Sequence, residues 1–160
     1  AHERSFQLMV QVSGRAGRLQ KRGKVLIQTF NPYHQILQQV SVNDYDGMCK
    51  EQLDERWQYH YPPYYRMIRI TLKHKLSGKV HDASLWLYQA FRPVFKKDVL
   101  GPSTPPVSRI RNAYIRQLII KIPPKQSLSK TKAVVQRSVE TLHAIPQYRS
   151  VRVILDVDPV

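Results

Sequence analysis

Two consecutive prolines, Pro62 and Pro63, held between Tyr61 and Tyr64, divide this chain more firmly than any other feature. Each proline fixes its own φ, removes a backbone donor and biases the residue before it away from the helical region. Neither a helix nor an interior strand is expected to run through them, so a helical segment should end there and a separate fold begin. At 160 residues the chain can bury one good core, which makes one compact domain with an appendage the natural arrangement.

Beyond the prolines, Ile68, Ile70 and Leu72 alternate with Arg69, Thr71 and Lys73, the period of a strand with one buried face. A helix is expected from Asp82 to about Val94, with Ala83, Leu85, Leu87, Tyr88 and Phe91 on its apolar side, followed by Val99-Leu100 and a turn at Gly101-Pro102. Val107 to Arg111 and Tyr114 to Ile122 flank an Arg111-Asn112-Ala113 turn and read as a hairpin. Val134, Val135, Val139 and Leu142 mark a second helix that ends near Pro146, and Val151, Val153, Leu155 and Val157 mark a last strand. The order βαββαβ predicts a two-layer α/β sandwich, with helices on one side of a mostly antiparallel sheet.

Before the prolines, Phe6, Met9 and Val10 recur at helical spacing between Glu3 and Val12, and Gly14 with Gly17 is expected to break that helix into a turn. Lys24 to Phe30 is a short run of branched apolar residues, the pattern of a strand buried on both faces, yet no second strand lies nearby to pair with it. The sequence starts without Met inside a helical pattern, and the expectation is a piece of a longer protein. From Asn43 the pattern is helical again: Tyr45, Cys49, Leu53 and Trp57 fall at successive i, i+4 positions, with Asn43 or Asp44 as cap. This helix reads as a strut between two domains, and Cys49 as a small hydrophobe on its stripe.

Twenty-six Lys and Arg against eleven Asp and Glu give a net charge of +15. Residues 1–60 carry eight basic and six acidic groups, residues 61–160 eighteen and five, so the second part is the one that faces a polyanion. A single cysteine excludes an internal disulfide framework and a cysteine-rich zinc site within the chain and fits a reducing, cytoplasmic setting. No run approaches the ~18 apolar residues of a membrane-spanning helix, and no membrane partner is expected. The six histidines show no ligand spacing. Asp156 and Asp158, two apart on a strand, are expected to pair with arginines, with a metal site as the alternative reading.

The most specific string is Gln11-Val12-Ser13-Gly14-Arg15-Ala16-Gly17-Arg18. Paired guanidiniums are permanently charged and donate in a fork, which suits the oxygens of a transferring phosphoryl group, and the glycines let the backbone come close. Read alone, the string is also compatible with a solvated basic turn.

With all four defining positions present, the string resembles motif VI of superfamily-two helicases, Gln-x-x-Gly-Arg-x-x-Arg. The resemblance narrows through Glu3 to Leu8, Gly23-Lys24-Val25, Gln28-Thr29-Phe30, Asp44-Tyr45, Glu51, Arg56, Pro62-Pro63-Tyr64, Val99-Leu100-Gly101-Pro102, Arg109, Tyr114 and Leu155 to Pro159, over nearly the whole chain. These positions are similar to the primosomal protein N′ family of replication-restart helicases. The resemblance implies an ATP-driven 3′ to 5′ DNA helicase that recognises stalled forks and D-loops and promotes primosome assembly. Residues 1–32 would be the end of the second RecA-like lobe, 33–63 a helical linker and 64–160 the C-terminal DNA- and partner-binding domain. Arg15 would approach the γ-phosphate, Arg18 would be the arginine finger, Gln11 would position water or phosphate, and Gly14 would line the nucleotide site.

Several parts of the family pattern lie outside this sequence. It contains no Gly-rich loop ending in Gly-Lys-[Ser/Thr], no Asp-Glu-x-His string and no paired-cysteine zinc insertion, so ATP, magnesium and zinc would belong to the full-length protein, and this stretch alone is expected to bind none of them and to be inactive as an ATPase. Where many relatives place an arginine directly after the hairpin tyrosine, this chain has Tyr114-Ile115-Arg116.

For nucleic acid the first candidates are Arg109, Arg111, Tyr114 and Arg116 on the hairpin, which would neutralise phosphates and stack a base. Arg66, Arg69 and Lys73 on the first strand come next, with Lys130, Lys132 and Arg137 on the second helix. The partners that the resemblance implies are forked and single-stranded DNA, primosome proteins and the acidic, apolar-ended tail of single-stranded-DNA-binding protein, for which Lys130 and Lys132 are the candidates. The alternatives are a stand-alone basic nucleic-acid-binding module of ribosomal-protein type and an adaptor for an acidic tail.

Overall fold

The computed structural model describes residues 2–16 and 23–159, which form two compact units, Ala1–Tyr59 and His60–Val160. The first unit holds three helices, α1 (His2–Arg15), α2 (Gln35–Ser41) and α3 (Tyr45–Gln58). Its core is small: Phe6, Ile36, Val40 and Met48 are buried together. Asp44 caps α3, its Oδ1 accepting from the Gly47 amide at 2.9 Å, as the sequence expects of one of the two candidate caps.

Three expectations for this unit change. Helix α1 does not stop before Gly14 but runs through it to Arg15, because the Ser13 hydroxyl and the helical ladder hold that turn and nothing crowds the glycine. Residues 24–30 form no strand. A strand satisfies its amides only against a neighbour, and among the described residues of this unit there is none; Leu26 and Phe30 lie fully exposed. On α3 the buried residue is Met48, whereas Tyr45, Leu53 and Trp57 are exposed and Cys49 is half-buried against the small core.

The second unit is built on β1 (Arg66–His74), α4 (Ser77–Phe95), β2 (Val99–Ser103), β3 (Arg109–Ile110), β4 (Ala113–Ile122), α5 (Leu128–Ala144) and β5 (Arg152–Val157). The strands form one antiparallel sheet in the order β2-β4-β1-β5, with the short β3 paired to the start of β4. Each crossover skips a strand: β4 lies between β1 and β2, and β1 lies between β4 and β5. Two βαβ units are therefore interleaved, the split βαβ arrangement.

Register decides which side chains share a face. Ile68 pairs with Ile120 and Ile70 with Leu118, and on the other flank Ile70 pairs with Leu155 and Leu72 with Val153. These even positions of β1 and β4 meet Val80, Ala83, Leu87 and Phe91 of α4 and Val135 and Leu142 of α5 in one core. The spacing of 80, 83, 87 and 91 is the i, i+3, i+7 stripe of an amphipathic helix. Helix α4 starts at Ser77, five residues before the expected Asp82, and turns Leu85 outward, so Leu85 is not part of the apolar side.

Two turns depart from expectation in detail. The β3–β4 connection is the two-residue pair Arg111-Asn112, with φ of 48° and 64°, the positive values a type I′ hairpin needs, and Ala113 already belongs to β4. At Gly101 the φ is 100° and a Cβ would stand 2.7 Å from the Gln117 carbonyl oxygen, so only glycine fits where β2 breaks register against β4.

Candidate functional site

The face of the sheet opposite the helices carries the odd positions of β1 and β4 and their partners. Lys73 pairs with Ile115 on one side and Arg152 on the other, Thr71 with Gln117 and Ile154, Arg69 with Ile119 and Asp156. Two adjoining cavities open on this face. The first, about 620 Å³, is lined by Lys73, Lys75, Arg111 and Arg152 with His74, Ser150, Ile110 and Ala113. The second, about 580 Å³, shares Lys73 and Ile110 with it and runs between Arg69, Thr71 and Ile154 on the sheet and a wall of Pro105, Pro106 and Val107.

The four cations of the first cavity face no carboxylate. Among the described residues the ion pairs are Glu3–Arg56, Arg66–Asp158 and Arg69–Asp156, and none takes Lys73, Lys75, Arg111 or Arg152. Like charges held together in this way make a standing field that a polyanion relieves.

The acids at the end of β5 are bound to arginines, as the sequence analysis favoured. Asp156 Oδ2 lies 2.6 Å from Arg69 Nη2. The Asp158 carboxylate accepts from Arg66 Nε at 2.7 Å and from the Met67 amide at 3.0 Å, which hold it below the usual carboxylate range. Among the described residues no three His, Cys, Asp or Glu side chains gather as metal ligands, so the residues present do not fit a zinc centre. No helix of the described residues is long and apolar enough to cross a membrane.

The sequence-predicted nucleic-acid residues are not brought together as one cluster. Arg111 and Lys73 meet in the basic cavity. Arg109 pairs across the hairpin with Tyr114, its guanidinium carbon 5.0 Å from the ring centre, and its Nη2 also donates to Asn112. Arg116, aligned with Leu72, shares the helix-side face with Tyr114, away from the cavity. Arg69 lines the second cavity but is engaged by Asp156. Lys75 and Arg152 were missed. Lys75 continues the every-second-residue series from Lys73 beyond the end of the strand, and Arg152 alternates with Val151 and Val153, so both carried a signal that only the strand pairing makes readable.

On the helix side, Lys132 and Gln136 rim a separate apolar cavity of about 410 Å³ floored by Ile68, Val135, Leu155 and Val157. Lys130 is exposed on α5 but does not line it. In the first unit, Gln11, Gly14 and Arg15 lie exposed on the last turns of α1, where positions three and four apart share a side. Arg18 lies outside the described residues.

An interleaved βαβ sheet whose helix-free face carries four clustered cations defines a basic split-βαβ module, and comparison with known proteins makes its kinship specific. Residues 58–160 match the family described as Primosomal protein N C-terminal domain, and the chain belongs to that family. Over 159 residues it is 32% identical to the Replication restart protein PriA of Bacillus subtilis, covering 98% of this chain and 19% of that protein. The corresponding protein of Treponema pallidum is 34% identical over 166 residues, with 100% and 24% covered, and that of Haemophilus influenzae 32% over 161 residues, with 99% and 21%. The chain thus spans about a fifth to a quarter of the length of the curated relatives it matches.

Proposed function

We propose that this chain is the C-terminal part of an ATP-dependent 3′ to 5′ DNA helicase that recognises stalled forks and D-loops and promotes primosome assembly and replication restart in the cytoplasm. Its own contribution is to hold DNA on the open face of the sheet. The observation that carries this reading is the cavity of four cations, Lys73, Lys75, Arg111 and Arg152, unopposed by any carboxylate among the described residues. Phosphate oxygens accept from such groups, and the side-chain cations displace the counterions condensed on the nucleic acid, which gives affinity without sequence preference.

At the other end of the chain, the exposed side of α1 with Gln11, Gly14 and Arg15 is suited to the phosphates of a nucleotide held by a neighbouring lobe. ATP there would supply the phosphoryl transfer that drives translocation. Arg15 would bind phosphate oxygens, Arg18 would stabilise the charge that develops on transfer, and Gln11 would position water. The acidic, apolar-ended tail of a single-stranded-DNA-binding protein would suit the Lys132 cavity, its carboxylates toward the lysine and its apolar end against Val135 and Val157.

The test is a titration of forked DNA against the chain by fluorescence anisotropy across a salt series. Affinity is expected to fall linearly on logarithmic axes, with a slope near 0.7 to 0.9 per phosphate neutralised. Absent binding, or binding indifferent to salt, would refute the reading.

A further inference from the structure

The two cavities on the open sheet face differ in chemistry, and their sharing of Lys73 and Ile110 makes them one composite site. At one end are four cations. At the other, Pro105, Val107 and Ile154 line the groove together with the buried Ile115. The single acid of that groove, Asp156, is neutralised by Arg69 at 2.6 Å. A cationic end joined to an apolar groove with polar groups at its side, here Thr71 and Gln117, complements the two halves of a nucleotide, its phosphate and its base.

One hydroxyl at the cationic end is oriented by its neighbours. The Leu76 amide donates to His74 Nδ1 at 3.0 Å, so the neutral ring carries its proton on Nε2. That Nε2–H then donates to Ser150 Oγ at 3.1 Å, which leaves the serine's own hydrogen free to turn toward an oxygen inside the cavity. Arg111 is placed at the tip of the β3–β4 hairpin by the type I′ turn, whose first central position sets its φ of 48°.

Resting on the DNA-binding reading above, we infer that this composite site takes one unstacked nucleotide of a single strand. Its phosphate lies among Lys73, Lys75, Arg111 and Arg152, and its base lies in the groove lined by Val107 and Ile154. A base within a duplex is stacked on both faces and paired at its edge, so it cannot enter the groove. The site therefore selects single strand over duplex, which a basic surface alone does not do.

The test uses the whole chain and three fluorescent probes of equal length: a thymidine oligonucleotide, the same strand with abasic sites, and a blunt duplex. Two variants of exposed residues accompany it, Lys75→Ala with Arg152→Ala, and Val107→Ser, each checked for an unchanged melting curve. The thymidine strand is expected to bind about tenfold or more tighter than duplex or abasic strand. Val107→Ser should remove most of the thymidine-over-abasic advantage while leaving abasic affinity unchanged. The double variant should weaken all three probes and lower the single-strand salt slope by about 0.7 for each phosphate it no longer neutralises. Equal binding of thymidine and abasic strands, or a Val107→Ser variant that keeps the advantage, would overturn the nucleotide site while leaving the DNA-binding reading intact. Loss of binding to every probe by the unmodified chain would overturn both.

Discussion

Asp158 condenses much of what single residues do here. Its carboxylate closes the end of β5 onto the start of β1 through Arg66 and the Met67 amide, while its own amide donates to the Met67 carbonyl at 2.8 Å. Because the folded carboxyl sits below its ordinary value, the stabilisation is present above the usual carboxylate range of about 3.9 and is lost as pH falls through the depressed folded value. Thermal melts between about pH 2 and 5 should show the midpoint dropping in that window, and Asp158→Asn should lack that part of the drop and melt lower at neutral pH; high salt should shrink the difference, since the pair is partly exposed. An unaltered acid limb in the variant would count against the role. The sequence pointed to arginine pairing for Asp156 and Asp158 from the abundance of arginines, but the partners Arg69 and Arg66 lie 87 and 92 residues away and follow only from the β1–β5 register.

At the scale of elements, helix α4 offers the sharpest contrast. Leu87 is fully buried between the helices and the sheet, whereas Leu85, two residues earlier, is 36% exposed. Leu87→Ala should cost about 2–5 kcal/mol in denaturant unfolding and Leu85→Ala about 0.5 kcal/mol or less; similar losses at both positions would mean the helix is seated differently. The order of strands and helices in this unit was readable from the sequence, because period-two and period-3.6 patterns are local. Faces were not. The hairpin residues Arg109, Arg111, Tyr114 and Arg116 are neighbours in sequence, yet the turn sends Arg111 toward Lys73 and the pleat sends Arg116 to the opposite side. Lys24 to Phe30 failed for the complementary reason: a strand-like composition states what a segment would bury against a partner, and no described residue of its unit supplies one.

For the whole molecule, the charge is divided as unevenly as the fold, with most of the excess in the unit that carries the open sheet face. The motor role proposed for the other unit would be exercised in a longer protein and is tested in one. Arg18→Ala in the full-length helicase should cut ATP turnover by about 10³ or more while nucleotide binding persists, and near-normal turnover would refute the finger assignment. The interleaved sheet has a further consequence for how the protein is made. Strand β5, ending at Val157, pairs with β1, which begins at Arg66 in the same unit. During synthesis β1 therefore emerges from the ribosome with both flanks bare, and the flank that β5 covers stays bare until the rest of the unit is translated. Until then that edge stays unpaired, and a frameshift or early stop shortly before Arg152 would yield a product open to edge-to-edge aggregation.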